Sequence, residues 1–231
     1  MYRRGMASEP TSGSAEALND RLAVEHPIND YYDKSFWPIR KIEQSRLRII
    51  RDMVGPVSGL SLLEVGSGGG HVLRMFRDAH LTAVDVSGKF LDTARANLRG
   101  YDCQFIQGEI DKLGLPDASF DRIVCTEVLE HIPDPDPVLR AMARLLKPTG
   151  RAVITVPNDP LINGGKAALR NSPVGWLIGD RLNWGGDEFH LHQWKPSEFR
   201  AVLSRYFLVE EQRSAPFEFL PIRVCFVCRR P

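Results

Sequence analysis

Glu64, Gly66, Gly68, Gly70 and Asp85 are the residues whose types and spacing point most directly to chemistry. The first four lie in Leu62-Leu63-Glu64-Val65-Gly66-Ser67-Gly68-Gly69-Gly70-His71, an apolar run that breaks into a glycine loop. Glycine has no Cβ, so such a loop lets backbone N–H groups close on a ligand. The dinucleotide pattern G-x-G-x-x-G, counted from Gly66, needs a glycine where His71 stands. Glu64 would also sit beside any pyrophosphate held by the loop, and like charges at short range in a partly dry site are costly. The same carboxylate suits a cation. Asp85 ends a second apolar run, roughly 20 residues past the loop, where an acid binds ribose hydroxyls. A ligand with a sulfonium, an ammonium and a ribose but no phosphate fits this set, and S-adenosylmethionine is such a ligand.

Glu127, Glu130 and His131 form a second cluster. On a helical turn they share one face, so two carboxylates and an imidazole could converge on a divalent cation. His131 could instead accept a proton from a substrate hydroxyl. As a third reading, Glu130 and His131 cap and brace the turn. Further along, Asp187-Glu188-Phe189-His190-Leu191-His192-Gln193-Trp194 concentrates imidazoles, acids and aromatics. His190 and His192 share a face if the segment is extended, where they could act on substrate or bind metal. Alternatively one of them bonds a loop carbonyl while Trp194 packs.

These residues carry a resemblance to the class I S-adenosylmethionine-dependent methyltransferases, whose motif acid-x-G-x-G-x-G is met by Glu64, Gly66, Gly68 and Gly70. Glu127-Val128-Leu129-Glu130-His131-Ile132-Pro133-Asp134-Pro135 resembles the segment after strand four in the type 11 group, which includes the ubiquinone-biosynthesis O-methyltransferases. The likeness runs from about Leu60 to Pro157. It implies a Rossmann-like α/β sheet of seven strands in the order 3-2-1-4-5-7-6, strand seven antiparallel, with helices on both faces. It implies cofactor contacts at Glu64, Gly66, Ser67, Gly68, Gly70, Asp85, Val86, Glu109, Ile110 and Thr126, with Glu109 and Ile110 toward the adenine. Methyl transfer to a small-molecule acceptor, on oxygen or nitrogen, is the implied reaction, with His131 and His192 as the catalytic candidates; the alternatives are a methyltransferase acting on a macromolecule and a non-catalytic or regulatory protein that binds the cofactor. Some quinone methyltransferases with the E-x-x-E-H pattern use magnesium there; no metal ligand is assigned here. Many relatives place an extra N-terminal helix over the cofactor, which makes Tyr31, Tyr32 and Arg40 lid candidates beside a core-packing reading.

The elements that must position these groups follow from apolar periodicity. Leu62 to Val65 reads as a buried parallel strand and Val72 to Phe76 as the start of a helix. Strands are expected at 81–85, 103–107, 122–126, 151–157, 207–211 and 222–228, and helices at 39–53, 90–98, 136–147 and 197–206. Residues 1–20 read as a disordered lead-in without chemistry, 21–231 as one domain, and 158–194 as a lid or substrate insertion. Thirty basic against 29 acidic residues leave a net charge of +1, so no bulk charge points to nucleic acid. No apolar run approaches the roughly 20 residues of a membrane span. The cysteines fall in strand-like segments and read as reduced, buried thiols of a cytoplasmic protein, the Cys225-x-x-Cys228 spacing included. Oligomeric state has no signal.

Overall fold

Leu62, Leu63 and Val65 are buried on a strand whose neighbours on both sides are also apolar, the pattern a central parallel strand requires. In the computed structural model, which describes residue 20, residues 37–170, residue 172 and residues 190–231, that strand is β1 (Ser61–Val65). It pairs in parallel with β2 (His80–Asp85) and β4 (Phe120–Thr126). β3 (Cys103–Gln107) and β5 (Leu146–Pro157) extend the parallel sheet on either side. β7 (Leu220–Arg229) enters antiparallel between β5 and β6 (Leu208–Phe217). The seven-stranded order is β3-β2-β1-β4-β5-β7-β6, as the resemblance implies.

Alternation along the strands sorts the core into two layers. Leu63, Val65, Ile123, Cys125, Ile154, Phe226 and Cys228 face α3 (Asp136–Leu145) and α5 (Pro196–Leu203). Leu62, Leu81, Val124, Val153, Cys225 and Val227 face α1 (Trp37–Val54) and α2 (Gly88–Asn97). Cys225 and Cys228 thus lie on opposite faces, too far apart in direction to bond; burial pushes each thiol up to about 12.

Long-range bonds seat the helices. The last carbonyls of α1 accept from strand arginines, Arg122 Nε to Val54 O at 2.9 Å and Arg151 Nη1 to Met53 O at 2.8 Å, satisfying groups a helix end leaves open. Ser87 caps α2, its Oγ accepting from the Phe90 amide. That Oγ in turn donates to Asp20 Oδ1. So Asp20, the last residue of the expected lead-in, is tied to the helix that follows Asp85; residues 1–19, and the lid candidates Tyr31 and Tyr32, lie outside the described residues. Arg40 is exposed on α1.

One expectation is corrected. Val72 to Phe76 does not open an α-helix: Leu73–Met75 is a single 3-10 turn, because the chain must enter β2 by His80 and has no length for more. No helix dipole therefore backs the glycine loop. Immediately after β5, the segment expected as a lid or substrate insertion begins with a helix, α4 (Asp159–Arg170); residues 173–189 of it lie outside the described residues.

Candidate active site

The carboxyl ends of β1, β2, β4 and β5 meet where an open α/β sheet binds ligands. Gly66 N and Ser67 N both donate to Val84 O, at 2.8 and 3.0 Å, folding the loop back over β2. Gly66, Gly68 and Gly70 have φ of 69°, 48° and 73°, left-handed values that side chains rarely adopt. The loop is also tightly backed: a Cβ at Gly70 would lie 2.9 Å from Leu98 Cδ1.

Asp85 is held from both sides. Its Oδ2 accepts from Gly68 N at 2.8 Å and its Oδ1 from Ser87 N at 2.9 Å. Burial raises its pKa, and the Ser87 and Gly68 amides oppose the rise. Each oxygen keeps a lone pair for an incoming hydroxyl.

Glu64 is 2% exposed. Burial raises its pKa well above the ordinary range; the Arg46 guanidinium works against this and Asp85 adds to it. Among the described residues, its buried Oε2 and the buried Ser67 Oγ have no hydrogen-bond partner. Orphaned acceptors are costly unless a ligand supplies donors. A backbone cradle with two orphaned oxygens and a fixed acid fits a cationic, hydroxyl-bearing nucleoside. The other expected contacts are more mixed. Val86 O accepts from Gln107 Nε2 and Thr126 is half-buried at the end of β4. Glu109 pairs with Lys112 at 2.6 Å, and Ile110 is buried in the core among Val65 and Val84.

Beyond β4 the chain turns sharply. Glu127 has φ of 55°, unusual without glycine. Its Oε1 accepts from Thr155 Oγ1 at 2.9 Å and its Oε2 pairs with Arg223 Nε at 2.8 Å. Leu129–His131 is a 3-10 turn rather than a longer helix. Consequently Glu127 turns toward β5 and β7, while Glu130 and His131 gather with His190: one ligating atom from each of these three lies within 4.8 Å of the others. The backbone explains the meeting, since Glu130 O accepts from Leu191 N at 2.8 Å and His192 N at 3.2 Å. Glu130 is 1% exposed, and among the described residues neither carboxyl oxygen has a hydrogen-bond partner. Burial raises its pKa well above the usual range, Glu127 adding and Arg223 opposing.

The two histidines of the 190–192 segment part company. His190 Nδ1 lies 2.9 Å from both oxygens of Asp159, a buried acid at the start of α4. Donating Nδ1–H to that carboxylate leaves the lone pair on Nε2. His192 Nε2 instead lies 3.0 Å from Ile132 O and 3.1 Å from Pro133 O, so it serves as a donor. Its ring stacks on Trp194 at 4.6 Å, which leads through Phe199 into the core. His192, expected beside His131 as catalytic, thus meets two loop carbonyls and lies against Trp194. The acid-oriented imidazole is His190, 4.9 Å from the exposed His131 ring. Asp159 carried no local signal, because its partner lies 31 residues away.

A family model described as a methyltransferase domain matches residues 63–154. The ubiquinone biosynthesis O-methyltransferase of Idiomarina loihiensis is 32% identical over 181 residues, covering 72% of this chain and 68% of that protein. The chain belongs to this S-adenosylmethionine-dependent methyltransferase family. The Aeromonas salmonicida enzyme of the same name is 37% identical over 152 residues, which cover 61% of this chain and 63% of that protein. The family member described here therefore spans somewhat under two thirds of that relative's length. Among solved structures, the [4+2]-cyclase SpnF shares the fold at a TM-score of 0.71 with 16% identity, covering 96% of this chain and 97% of the cyclase. Glu64 and the doubly anchored Asp85 thus form one group with the glycine loop, and Glu130, His131 and His190 a second group on the far side of the turn after β4. Among the described residues no helix is long and apolar enough to cross a membrane.

Proposed function

We propose that the protein transfers a methyl group from S-adenosylmethionine to a hydroxyl of a small-molecule acceptor. The observation that carries this reading is an acid-oriented imidazole, His190 on Asp159, gathered with Glu130 and His131 on the turn whose Val128 packs against Gly66 of the glycine loop. When bound, the cofactor supplies an electrophilic methyl on a sulfonium. Asp85 would hold the ribose hydroxyls, and Glu64 with the Ser67 hydroxyl would hold the methionine end. His190 Nε2 takes the proton of the acceptor hydroxyl, and Asp159 stabilises the resulting imidazolium. Alignment of acceptor and methyl in a dry crevice supplies much of the remaining acceleration. The ubiquinone-biosynthesis relatives support an oxygen acceptor. A cytoplasmic setting belongs to the same reading, supported by four cysteines that are all free thiols. The chain's balanced charge favours a small molecule over nucleic acid.

The Glu130, His131 and His190 cluster favours a second reading, in which the acceptor hydroxyl is activated on a divalent cation held there. One experiment addresses both. S-adenosylmethionine binding is measured by calorimetry, then S-adenosylhomocysteine formation across phenols, catechols, aliphatic alcohols and amines, with and without chelator and added Mg²⁺, Mn²⁺ or Zn²⁺. Chelator-resistant turnover of hydroxyl compounds supports the first reading, and metal-dependent turnover the second. Binding without turnover of any acceptor would leave a cofactor-binding protein that does not transfer methyl groups.

A further inference from the structure

Behind the acceptor side runs a chain of charges that the reaction itself does not use. Arg46 Nε meets Glu43 Oε2 at 2.8 Å, both residues buried on α1. Glu43 Oε1 lies 3.6 Å from Arg223 Nε, and the same Nε is 2.8 Å from Glu127 Oε2. Arg223 reaches this point because β7 runs antiparallel to β5 and places it across from Pro157. Ordering four long side chains in a mostly buried row is expensive in entropy and desolvation. Surface solubility does not explain it.

What the row holds is the strained residue Glu127. A left-handed conformation at a residue with a side chain is strained and persists only where surroundings over-determine it. Here they do so from two strands: Thr155 on β5 binds one oxygen and Arg223 on β7 the other. The turn that follows carries Glu130 and His131 toward His190. Loss of either anchor lets Glu127 relax and re-aims both side chains.

We propose that Arg223 is a positioning residue of the acceptor site: acting through Glu127, it fixes the turn that presents Glu130 and His131 to His190, and Glu43 makes helix α1 part of that support. This rests on the reading that the cluster is where the acceptor enters, yet the geometry can be tested without an acceptor. In the full-length protein, carbethoxylation by diethyl pyrocarbonate is timed at each histidine by mass spectrometry, at one fixed pH. His80, exposed at the opposite edge of the sheet, reports general loosening. Arg223→Met is expected to change the rates at His131 and His190 by about fivefold, the size of a coupled pair interaction, with His80 unchanged. Arg223→Lys, which keeps the charge on Glu127, is expected to restore most of the wild-type rate, and Glu43→Gln to give a smaller change of the same sign. Unchanged rates at His131 and His190 in Arg223→Met overturn the proposal. If that variant loosens globally, seen as faster His80, Thr155→Val decides the matter by removing only the other anchor: a change confined to His131 and His190 supports it, and no change overturns it. Failure of the wild type to bind S-adenosylmethionine would remove the proposed function and leave this comparison to stand by itself.

Discussion

A methyl group added at Gly66 would lie 2.3 Å from Val128 Cγ2. The glycine loop of the cofactor side and the turn after β4 are therefore in contact, with no room between them for even one carbon. Gly66→Ala combines this overlap with a strained φ of 69°. A loss of about 2–4 kcal/mol of stability is expected, together with weakened S-adenosylmethionine binding. Adding Val128→Ala should return the steric part and leave the conformational part. Urea denaturation of the two variants checks this: if Val128→Ala rescues nothing, the contact is not what makes glycine necessary.

Asp85 has a double duty, since its oxygens order the Gly68 and Ser87 amides before any ligand arrives. Asp85→Ala should thus lower S-adenosylmethionine affinity by at least about tenfold and also cost about 1–3 kcal/mol in the free protein. Asp85→Asn keeps one acceptor oxygen and should recover part of the stability with less of the affinity. Calorimetry beside thermal melting separates the two effects; normal affinity in Asp85→Ala would refute the ribose assignment.

What the sequence discloses and what it hides divide along the range of the interaction. Glu64 at a strand end, the glycines at left-handed positions and Ser87 capping α2 are local facts, written in adjacent residues. The sheet order follows from the family resemblance, and the structure agrees with it. By contrast, His190 finds Asp159, Arg223 finds Glu127, and Arg122 and Arg151 find the end of α1 only through topology. A spacing rule for an extended segment placed His190 and His192 together. It could not tell which of them would meet a carboxylate and which a pair of carbonyls. The 3-10 turn at Leu73–Met75 was hidden for another reason: apolar periodicity marks a buried turn as readily as a helix, and only the distance to β2 decides.

Burial raises the Glu64 pKa well above the ordinary glutamate range, with Arg46 opposing. The folded protein therefore holds a proton that the unfolded chain has already released. Stability of the ligand-free protein should fall as pH rises from the ordinary glutamate range toward the raised value, by at most about 1.4 kcal/mol per pH unit for this one group. A cationic ligand favours the ionised carboxylate, so S-adenosylmethionine affinity should increase over the same interval. Glu64→Gln is expected to reduce the pH slope of stability and flatten the slope of binding. Some stability slope should remain, because Glu130 and Asp85 are raised in the same direction. Urea melts and binding isotherms across mildly acidic to neutral pH test the pair of slopes; unchanged slopes in Glu64→Gln would assign the titration elsewhere.

His190 and His192 offer the sharpest contrast, because two imidazoles in one short segment have opposite surroundings. Asp159 orients His190 through Nδ1, which leaves Nε2 able to accept a proton. Removing a positioned general base typically costs about a hundredfold to ten-thousandfold in rate. His190→Ala should lose turnover on that scale while S-adenosylmethionine affinity stays near wild type, since the cradle from Glu64 to Asp85 is untouched. Asp159→Asn should fall in between, as the amide can stabilise neither the charge nor the tautomer as well. His192→Phe keeps the stack on Trp194 but gives up the donation to Ile132 O and Pro133 O. It should cost about 1–2 kcal/mol of stability and only a few-fold in rate. The reverse pattern, an inert His190→Ala and an inactive yet folded His192→Phe, would return the catalytic role to His192 and remove the proton-transfer step argued from the Asp159 contact.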